Sequence, residues 1–386
     1  MNKLKIFFCV GILSLTQIAS ADKLLVNVTN LLHDGRNSEV VSIPLKSLEG
    51  FERVKPAVYC EKLNRFMPMQ LVDNDCDGKN DELLFQSDFK AKETLVFEIV
   101  EANAANYVEV YGPAQAYYIP QRKDDFAWEN DKIAFRVYGQ ELQRTELTTS
   151  GIDVWVKKVQ RPVMLALYAK GHDYYHSDNP LGIDFFTVGE TLGCGGIGVW
   201  DDGKLLRSEN YSVWKIIANG PIRTIFALKY EPWDMGKGKK MGEVKKITLD
   251  KGWNFCKIES MFDGDVNDIK FAVGIVKCER GGKPTFGTVN EYLGYWQKPD
   301  KTFGTIGCGV ILNKPSVIYE QAEDQENYMI LAMGRYSKVV YYAGACWSRT
   351  KGFEKEETWN RLIRKTSERV NGPLSIEIKK KIGKRR

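Results

Sequence analysis

Between residues 122 and 343 the sequence consists of strand-like segments with almost no helical periodicity between them. These segments are rich in Val, Ile, Leu, Phe and Tyr and are separated by clusters of Gly, Asn, Asp or Pro, which is typical of strands joined by turns. The predicted strands cover residues 133–137, 152–159, 205–217, 222–230, 242–249, 254–262, 269–275, 305–311, 328–333 and 337–343. A parallel sheet would need crossover helices, so the pattern predicts a large two-sheet β-sandwich.

Shorter segments of the same kind precede this region, at residues 24–28, 39–44, 57–59, 93–100 and 107–111. They predict an N-terminal β-sandwich over residues 22–113, followed by the large sandwich over 114–378. One helix is expected over 354–370, because Trp359, Ile363 and Thr366 recur at helical spacing before Asn-Gly-Pro ends the run. Residues 373–378 are compatible with a last strand. The predicted fold class is therefore all-β, with one C-terminal helix.

The first 21 residues have the pattern of a secretory signal peptide. Lys3 and Lys5 precede an apolar run over 6–16, and Ala-Ser-Ala at 19–21 matches a cleavage site. No later run reaches the ~18 apolar residues that a membrane span needs. The protein is therefore expected to be periplasmic or secreted, with no membrane span.

The charge distribution argues against a nucleic-acid-binding protein. The formal charge is +5, and the basic tail at 379–386 accounts for more than this excess, so no basic face with interleaved aromatics remains. The sequence also has no dinucleotide-binding glycine motif and no Cys-x-x-Cys pair, so neither a redox cofactor nor a structural zinc site is expected. The seven cysteines after the signal leave at least one free thiol.

An acidic loop at residues 73–81, DNDCDGKND, has the alternating carboxylates of a calcium loop, with a glycine at the turn. The candidate ligands are Asp73, Asp75, Asp77 and Asp81. An EF-hand would need a glutamate at the twelfth position, which is Leu84 here. Two interpretations remain open: a structural calcium site, or an Asx-rich turn that binds no ion.

Two of the chain's three histidines, His172 and His176, lie four residues apart in the segment 170–200. Tyrosines and aspartates surround them, namely Tyr174, Tyr175, Asp178 and Asp184. The segment is predicted to be a loop at a cleft, followed by strands. In an extended conformation His172, Tyr174 and His176 would share one side. Histidine and tyrosine can remove a proton next to a carboxyl group and protonate a leaving oxygen, although one histidine could instead be a packing residue.

A second polar segment, residues 122–139, contains a predicted strand at 133–137. Alternation places Ile133, Phe135 and Val137 on one face and Ala134, Arg136 and Tyr138 on the other. A guanidinium beside a tyrosine suits an acidic sugar, whereas a salt-bridged solvated turn is the plainer interpretation of the flanking charges. The further candidates for substrate contact are Arg122, Asp125, Trp128, Glu129, Tyr138, Asp178, Asp184 and Trp347.

Several long strings resemble the bacterial secreted domain-of-unknown-function family numbered four-eight-six-one. They are PQRKDDFAWENDKIAFRVYG, SGIDVWVKK, YYHSDNPLGIDFFTVGETLGCGGIGVW and VVYYAGACW. The resemblance implies a carbohydrate-active protein, associated with polysaccharide-degradation genes, that acts on glycans containing uronic acids. It also implies a large domain similar to galactose-mutarotase-like sandwiches.

Three functional hypotheses follow. In a polysaccharide lyase, Arg136, or failing it Arg122, would neutralise the uronate carboxylate, His172 or His176 would be the base, and Tyr175 the acid. A glycoside hydrolase would need a pair of carboxylates, for which the candidates are Asp125, Glu129, Asp178 and Asp184. A non-catalytic carbohydrate-binding protein would use the same side chains for hydrogen bonds alone.

Overall fold

The computed structural model describes residues 23–48, 51, 55–103, 112–289, 291–314, 320–334 and 336–381. The predicted signal peptide, the predicted strand at 107–111 and the last five residues of the basic tail lie outside these ranges. Most described residues form antiparallel strands, which confirms the predicted all-β class. Within the described residues, no helix combines the length and the apolar character needed to cross a lipid bilayer.

The N-terminal domain is a sandwich of two small sheets. Its own strands are β1 (Lys23–Thr29), β2 (Arg36–Pro44), β3 (Pro56–Cys60), β4 (Arg65–Phe66), β5 (Met69–Val72), β6 (Glu82–Phe89) and β7 (Thr94–Glu101). The three-stranded sheet has the order β2-β6-β5. Alternate residues of both sheets, among them Val26, Phe85 and Phe97, meet in one apolar core.

A middle sheet and three short helices follow. The strands are β8 (Gln115–Ile119), β9 (Asp125–Glu129), β10 (Ile133–Val137), β11 (Asp153–Lys157) and β12 (Gly182–Asp184), in the spatial order β12-β11-β10-β9-β8. The helices are α1 (Gln140–Gln143), α2 (Met164–Lys170) and α3 (His172–Tyr175). Helices α2 and α3 lie between β11 and β12 in sequence and cover one face of this sheet.

The rest of the chain forms two further sheets and the C-terminal helix. Its elements are β13 (Cys194–Asp201), β14 (Lys204–Leu206), β15 (Val213–Ala218), β16 (Arg223–Asp234), β17 (Lys240–Asp250), β18 (Phe255–Phe262), β19 (Lys270–Val276), β20 (Gly282–Phe286), β21 (Tyr292–Gln297), β22 (Ile306–Leu312), β23 (Glu320–Glu323), β24 (Asn327–Met333), β25 (Lys338–Trp347), α4 (Glu356–Asn371) and β26 (Ser375–Lys381). One sheet has the order β14-β13-β19-β24-β23, and the eight-stranded sheet has the order β15-β16-β17-β18-β25-β22-β21-β20.

The eight-stranded sheet shares one large core with the two five-stranded sheets beside it. Phe226 of β16 lies 4.7 Å from Phe126 and 5.1 Å from Trp128 of β9, measured between ring centroids. The middle sheet and the β13 sheet are joined by a bridge between Ile152 and Gly193. The seven cysteines of the described residues are all free thiols, and five of them are buried.

Helix α4 confirms the predicted C-terminal helix, and its Trp359 is fully buried on the eight-stranded sheet. The strand predicted at 205–217 is wrong, since residues 207–212 interrupt it and divide it into β14 and β15. Strand β26 pairs with β1 from Lys23 to Thr29, in a five-stranded sheet of order β26-β1-β7-β3-β4. The end of the chain, including the first three residues of the predicted tail, therefore belongs to the N-terminal sandwich.

Candidate active site

Strand alternation brings four charged side chains to one face of the middle sheet. As predicted for residues 133–138, Ile133, Phe135 and Val137 enter the large core, whereas Ala134 and Arg136 point to the opposite face. Antiparallel register places Arg136 directly opposite Asp153 on β11.

A single guanidinium is shared by three carboxylates on this face. Arg136 Nη2 donates to Asp153 Oδ2 at 2.6 Å and to Asp184 Oδ2 at 2.8 Å, and Nη1 lies 3.5 Å from Asp125 Oδ2. The guanidinium carbon also lies 4.8 Å from the ring centroid of Trp155. Arg136 is only 3 % exposed. The prediction that Arg136 binds a substrate carboxylate is therefore wrong, because its charge is buried and already engaged.

Burial of more carboxylates than cations shifts their protonation. Burial raises the pKa of Asp125 to about 6, although the guanidinium groups of Arg136 and Arg122 act in the opposite direction. The pKa of Asp184 is raised well above its usual value by burial and by the nearby charge of Asp153. Among the described residues, Asp125 Oδ1, Asp184 Oδ1 and Arg136 Nε have no hydrogen-bond partner. Asp125 and Asp184 therefore release their protons at a higher pH than exposed aspartates do.

The histidine segment is helical, so the predicted loop is wrong here. Gly171, at φ 90°, separates α2 from α3, and the helical turn brings the rings of His172 and His176 to a centroid distance of 4.4 Å. The side chains of His172 and His176 are 61 % and 36 % exposed. Both imidazoles are therefore open to solvent, which the functional hypothesis requires.

Tyr175 lies on the buried side of the same turn. It is 1 % exposed, and its ring centroid lies 4.5 Å from that of Trp155. Its hydroxyl accepts a hydrogen bond from Arg122 Nε at 3.4 Å. Tyr175 cannot reach a substrate from this position, so the prediction that it is the general acid is wrong.

His176 is held in a defined orientation by the strand that carries Asp184. Its Nδ1 lies 2.8 Å from the Asp184 backbone carbonyl oxygen, which can only accept a hydrogen bond. Nδ1 therefore carries the proton and leaves Nε2 unprotonated in the neutral ring. Burial lowers the pKa of His176, and the neighbouring His172 adds to this, although the hydrogen bond to Asp184 opposes it. His176 is thus a neutral base at neutral pH.

Arg122 is half-buried and contacts this turn through the Tyr175 hydroxyl. It ends the short helical turn Pro120–Arg122 and is followed by Lys123 and Asp124, both in the left-handed region at φ 49° and 62°. The Asp124 carboxylate accepts from Tyr118 at 2.6 Å. Gly139 is needed opposite, since a Cβ there would lie 2.4 Å from Asp124 Cβ. Arg122 Nη1 is buried and has no hydrogen-bond partner among the described residues.

Three predicted substrate contacts are structural instead. Trp128 is fully buried beside Phe135, and Trp347 is 3 % exposed with its Nε1 donating to the Phe303 carbonyl at 2.7 Å. Neither can stack on a sugar. Glu129 is fully buried, where it accepts from Lys157 Nζ at 2.6 Å and from the first backbone N–H groups of α2. The prediction that these side chains bind substrate is therefore wrong.

The remaining predicted residues lie around the Arg136 network or outside it. Tyr138 accepts a hydrogen bond from Arg136 Nη2 at 3.4 Å. Asp184 and Asp125 belong to the buried network, so neither is open to a substrate. Asp178 is exposed and accepts a hydrogen bond from Lys158 Nζ at 2.5 Å.

Sequence reasoning missed Asp153, Trp155 and Tyr168. Trp155 Nε1 donates to Asp153 Oδ2 at 2.9 Å, and the Tyr168 hydroxyl donates to Asp125 Oδ2 at 3.1 Å. Alternation in SGIDVWVKK already places Asp153 and Trp155 on one face. Their pairing with Arg136 depends on the register between strands, which the sequence of one strand does not show.

The acidic loop brings together three of its four predicted ligands. One carboxylate oxygen from each of Asp73, Asp75 and Asp81 lies within 4.8 Å of the others. Asp77 is outside this group, and its Oδ1 accepts from the backbone N–H of Lys79. Asp73 also accepts from three backbone N–H groups of the loop. Both interpretations of the loop fit this geometry, so calcium binding stays a prediction.

Comparisons with known proteins give a matching family model and a close relative in sequence. A family model described as "Domain of unknown function (DUF4861)" matches residues 28–376. Uncharacterized protein P7 of Formosa agariphila is 34% identical over 325 residues, which are 80% of this chain and 81% of that protein.

Two solved structures that match the chain come from Enterococcus faecalis. A protein of glycosyl hydrolase family 38 matches 92% of this chain with a TM-score of 0.51 and 10% sequence identity. An alpha-mannosidase matches with a TM-score of 0.44 and 10% identity. The chain spans about half the length of these two proteins, 47% and 46%. The first match shows that the chain has a sandwich-type fold in common with that protein.

The raised pKa of Asp125 makes stability depend on pH. A carboxyl group with a higher pKa in the folded than in the unfolded state stabilises the fold at low pH, and this contribution is lost as pH rises through the folded value. We expect the free energy of unfolding of the wild type, relative to Asp125→Asn, to fall by roughly 2 to 3 kcal/mol between pH about 4 and about 6. Urea denaturation across this range measures it. The exposed Asp173→Asn is the control, and parallel pH profiles for wild type and Asp125→Asn would contradict the assignment.

If the acidic loop binds calcium, millimolar calcium should raise the melting temperature by several degrees relative to EDTA, because the ion binds only the folded state. Asp73→Asn should abolish the rise, whereas Asp77→Asn should largely keep it. Scanning calorimetry with both variants measures this. An equal melting temperature with calcium and with EDTA would leave the turn without an ion as the correct interpretation.

Proposed function

The chain belongs to the family described as Domain of unknown function (DUF4861), and from that premise we propose that it is a carbohydrate-active protein, a polysaccharide lyase that cleaves uronic-acid-containing glycans by β-elimination. The observation that carries the proposal is the solvent-open imidazole pair His172 and His176, with His176 held as a neutral base. The fold shared with a glycosyl hydrolase family 38 protein supports a carbohydrate substrate.

The proposed reaction uses three groups around the helical turn. His176 Nε2 removes the C5 proton of the uronate ring, and the electron pair of that C–H bond forms the C4–C5 double bond. The C4–O bond breaks, and the departing glycosidic oxygen takes a proton from the imidazolium form of His172, which replaces the buried Tyr175 as acid and is left as a neutral ring. Arg122 neutralises the uronate carboxylate, which makes the C5 proton more acidic.

The burial of most candidate carboxylates favours elimination over hydrolysis. A glycoside hydrolase needs two carboxyl groups facing the scissile bond. Of the four predicted candidates, Asp125, Glu129 and Asp184 are buried and bonded to protein partners, which leaves only Asp178 exposed. The accessible acid–base groups of the turn are the two imidazoles and the Asp173 carboxylate.

We expect absorbance at about 235 nm to rise when the protein is incubated with ulvan or polygalacturonate, because β-elimination creates an unsaturated uronate. His176→Ala should lower the rate by a factor of about 10² to 10⁴. His33→Ala is the matched control, since it removes the third histidine from an exposed position in the N-terminal domain and should leave the rate unchanged. The acid limb of kcat/KM should lie below pH 6.5, the usual value for histidine, because burial lowers the pKa of His176.

Other outcomes of this experiment decide between the alternatives. Release of reducing ends without the chromophore would identify a hydrolase. Binding of the glycans without any cleavage, weakened only modestly by His172→Ala and His176→Ala, would identify a non-catalytic binding protein. Either result contradicts the lyase proposal.

A further inference from the structure

We propose that a cleft between the N-terminal sandwich and the outer face of the eight-stranded sheet is a second binding site, which takes a short acidic saccharide. The cleft has a volume of about 490 Å³, within the ~300 to 1,000 Å³ typical of small-ligand sites. Strands β17, β18 and β25 form its floor, and its walls are β2 and β6 on one side and residues 369–376 on the other. None of its lining residues belongs to the histidine segment.

The floor is polar because of strand alternation. On β17, Ile247 and Leu249 point into the large core, so Lys246 and Thr248 point outward into the cleft. Thr248 lies opposite Lys257 of β18, and Lys257 lies opposite Tyr342 of β25. Side chains from three adjacent strands therefore form one polar row across the floor.

The walls are fixed by contacts that do not involve a ligand. Arg369, at the end of α4, donates to Glu39 Oε2 at 3.0 and 2.7 Å and lies 4.1 Å from the ring centroid of Trp253. Trp253 Nε1 donates to the Ser38 carbonyl at 2.9 Å. The N-terminal sandwich, the sheet and α4 are thus tied together around the cleft. A site already formed in this way loses little conformational entropy on binding.

Most charges in the cleft neutralise one another. Arg223 forms a two-pronged pair with Asp250 at 2.6 and 2.8 Å. Glu259 lies 3.1 Å from Lys257 Nζ and 3.0 Å from Lys338 Nζ. Paired groups of this kind shape the cleft but do not by themselves attract a charged ligand.

Two lining residues have no ion-pair partner among the described residues, the anionic Glu82 and the cationic Lys246. Glu259 lies opposite Lys246 across the strands, yet that carboxylate is already shared by two other lysines. Within the described part of the chain, Lys246 Nζ has neither an ion-pair nor a hydrogen-bond partner. A half-buried ammonium without a partner is suited to one carboxylate or sulfate of a ligand.

Neutral groups that suit sugar hydroxyls surround this lysine. Among the described residues, Thr248 Oγ1 and Tyr342 Oη have no hydrogen-bond partner, and both can donate and accept. Glu82, in the wall, accepts from Ser42 and Asn74 and retains capacity to accept from hydroxyls. A ligand that has one anionic group and several hydroxyl groups would match these contacts, and an acidic sugar has both. The choice of a saccharide over another small hydroxylated anion rests on the proposed function.

Isothermal titration with digalacturonate tests the site. Wild type should bind it, and Lys246→Ala should weaken binding about tenfold or more through loss of the charge-assisted contact. Tyr342→Phe should weaken it about threefold. Lys204→Ala, at an exposed lysine on β14, is the matched control. The methyl ester of digalacturonate, which lacks the charge, should bind the wild type about as weakly as the free acid binds Lys246→Ala.

The His172→Ala/His176→Ala double variant separates this proposal from the lyase proposal. Binding that survives in the double variant and is lost in Lys246→Ala supports the cleft, whether or not any cleavage is seen. Binding lost in the double variant but kept in Lys246→Ala places the ligand at the imidazoles and overturns the inference. Equal binding of acid and ester, or no binding by a wild type that still cleaves polygalacturonate, also overturns it.

Discussion

The pairing of the Arg136 guanidinium with Asp125, Asp153 and Asp184 is the interaction on which the candidate site depends. The four side chains come from four adjacent strands, and burying them without one another would be costly. Helices α2 and α3 cover this face. Asp184 connects the network to the surface, because its side chain binds Arg136 while its backbone carbonyl accepts from His176. The strand that carries Asp184 therefore orients an exposed imidazole.

The two proposed sites follow the same physical logic. At both sites, charged groups that are paired with one another fix the surrounding structure. These are the Arg136 network under the helical turn and the ion pairs of Arg223 and Arg369 around the cleft. The groups proposed to contact a ligand are those whose hydrogen-bonding or ion-pairing capacity is not used within the protein. His176 Nε2 lies 3.7 Å from Asp184 Oδ2, beyond hydrogen-bond distance, and Lys246 Nζ has no partner within the described residues.

The predictions from sequence were most accurate for features that depend on local sequence patterns, such as strand alternation and helical spacing. The bounds of β10 and the sheet face on which Arg136 lies follow from alternation, and α4 follows from helical spacing. Residues 172–176 were expected to be a loop because nothing in the local pattern shows that Tyr175 packs on Trp155. That contact buries the phenol and turns the histidines outward. Similarly, an arginine beside a tyrosine indicates an anion site, yet the anions are the chain's own aspartates. Such outcomes depend on strand register and tertiary contacts, which no single segment encodes.

The protonation state of His176 is the most direct test of this account. Long-range proton–nitrogen NMR spectra of imidazole-labelled protein, assigned with His176→Ala, report which ring nitrogen carries the proton as pH is varied. The account predicts the Nδ1–H form of the neutral ring and a pKa below the usual 6.5. An Nε2–H ring, or a pKa above 6.5, would contradict the claim that the Asp184 strand holds this imidazole as a base.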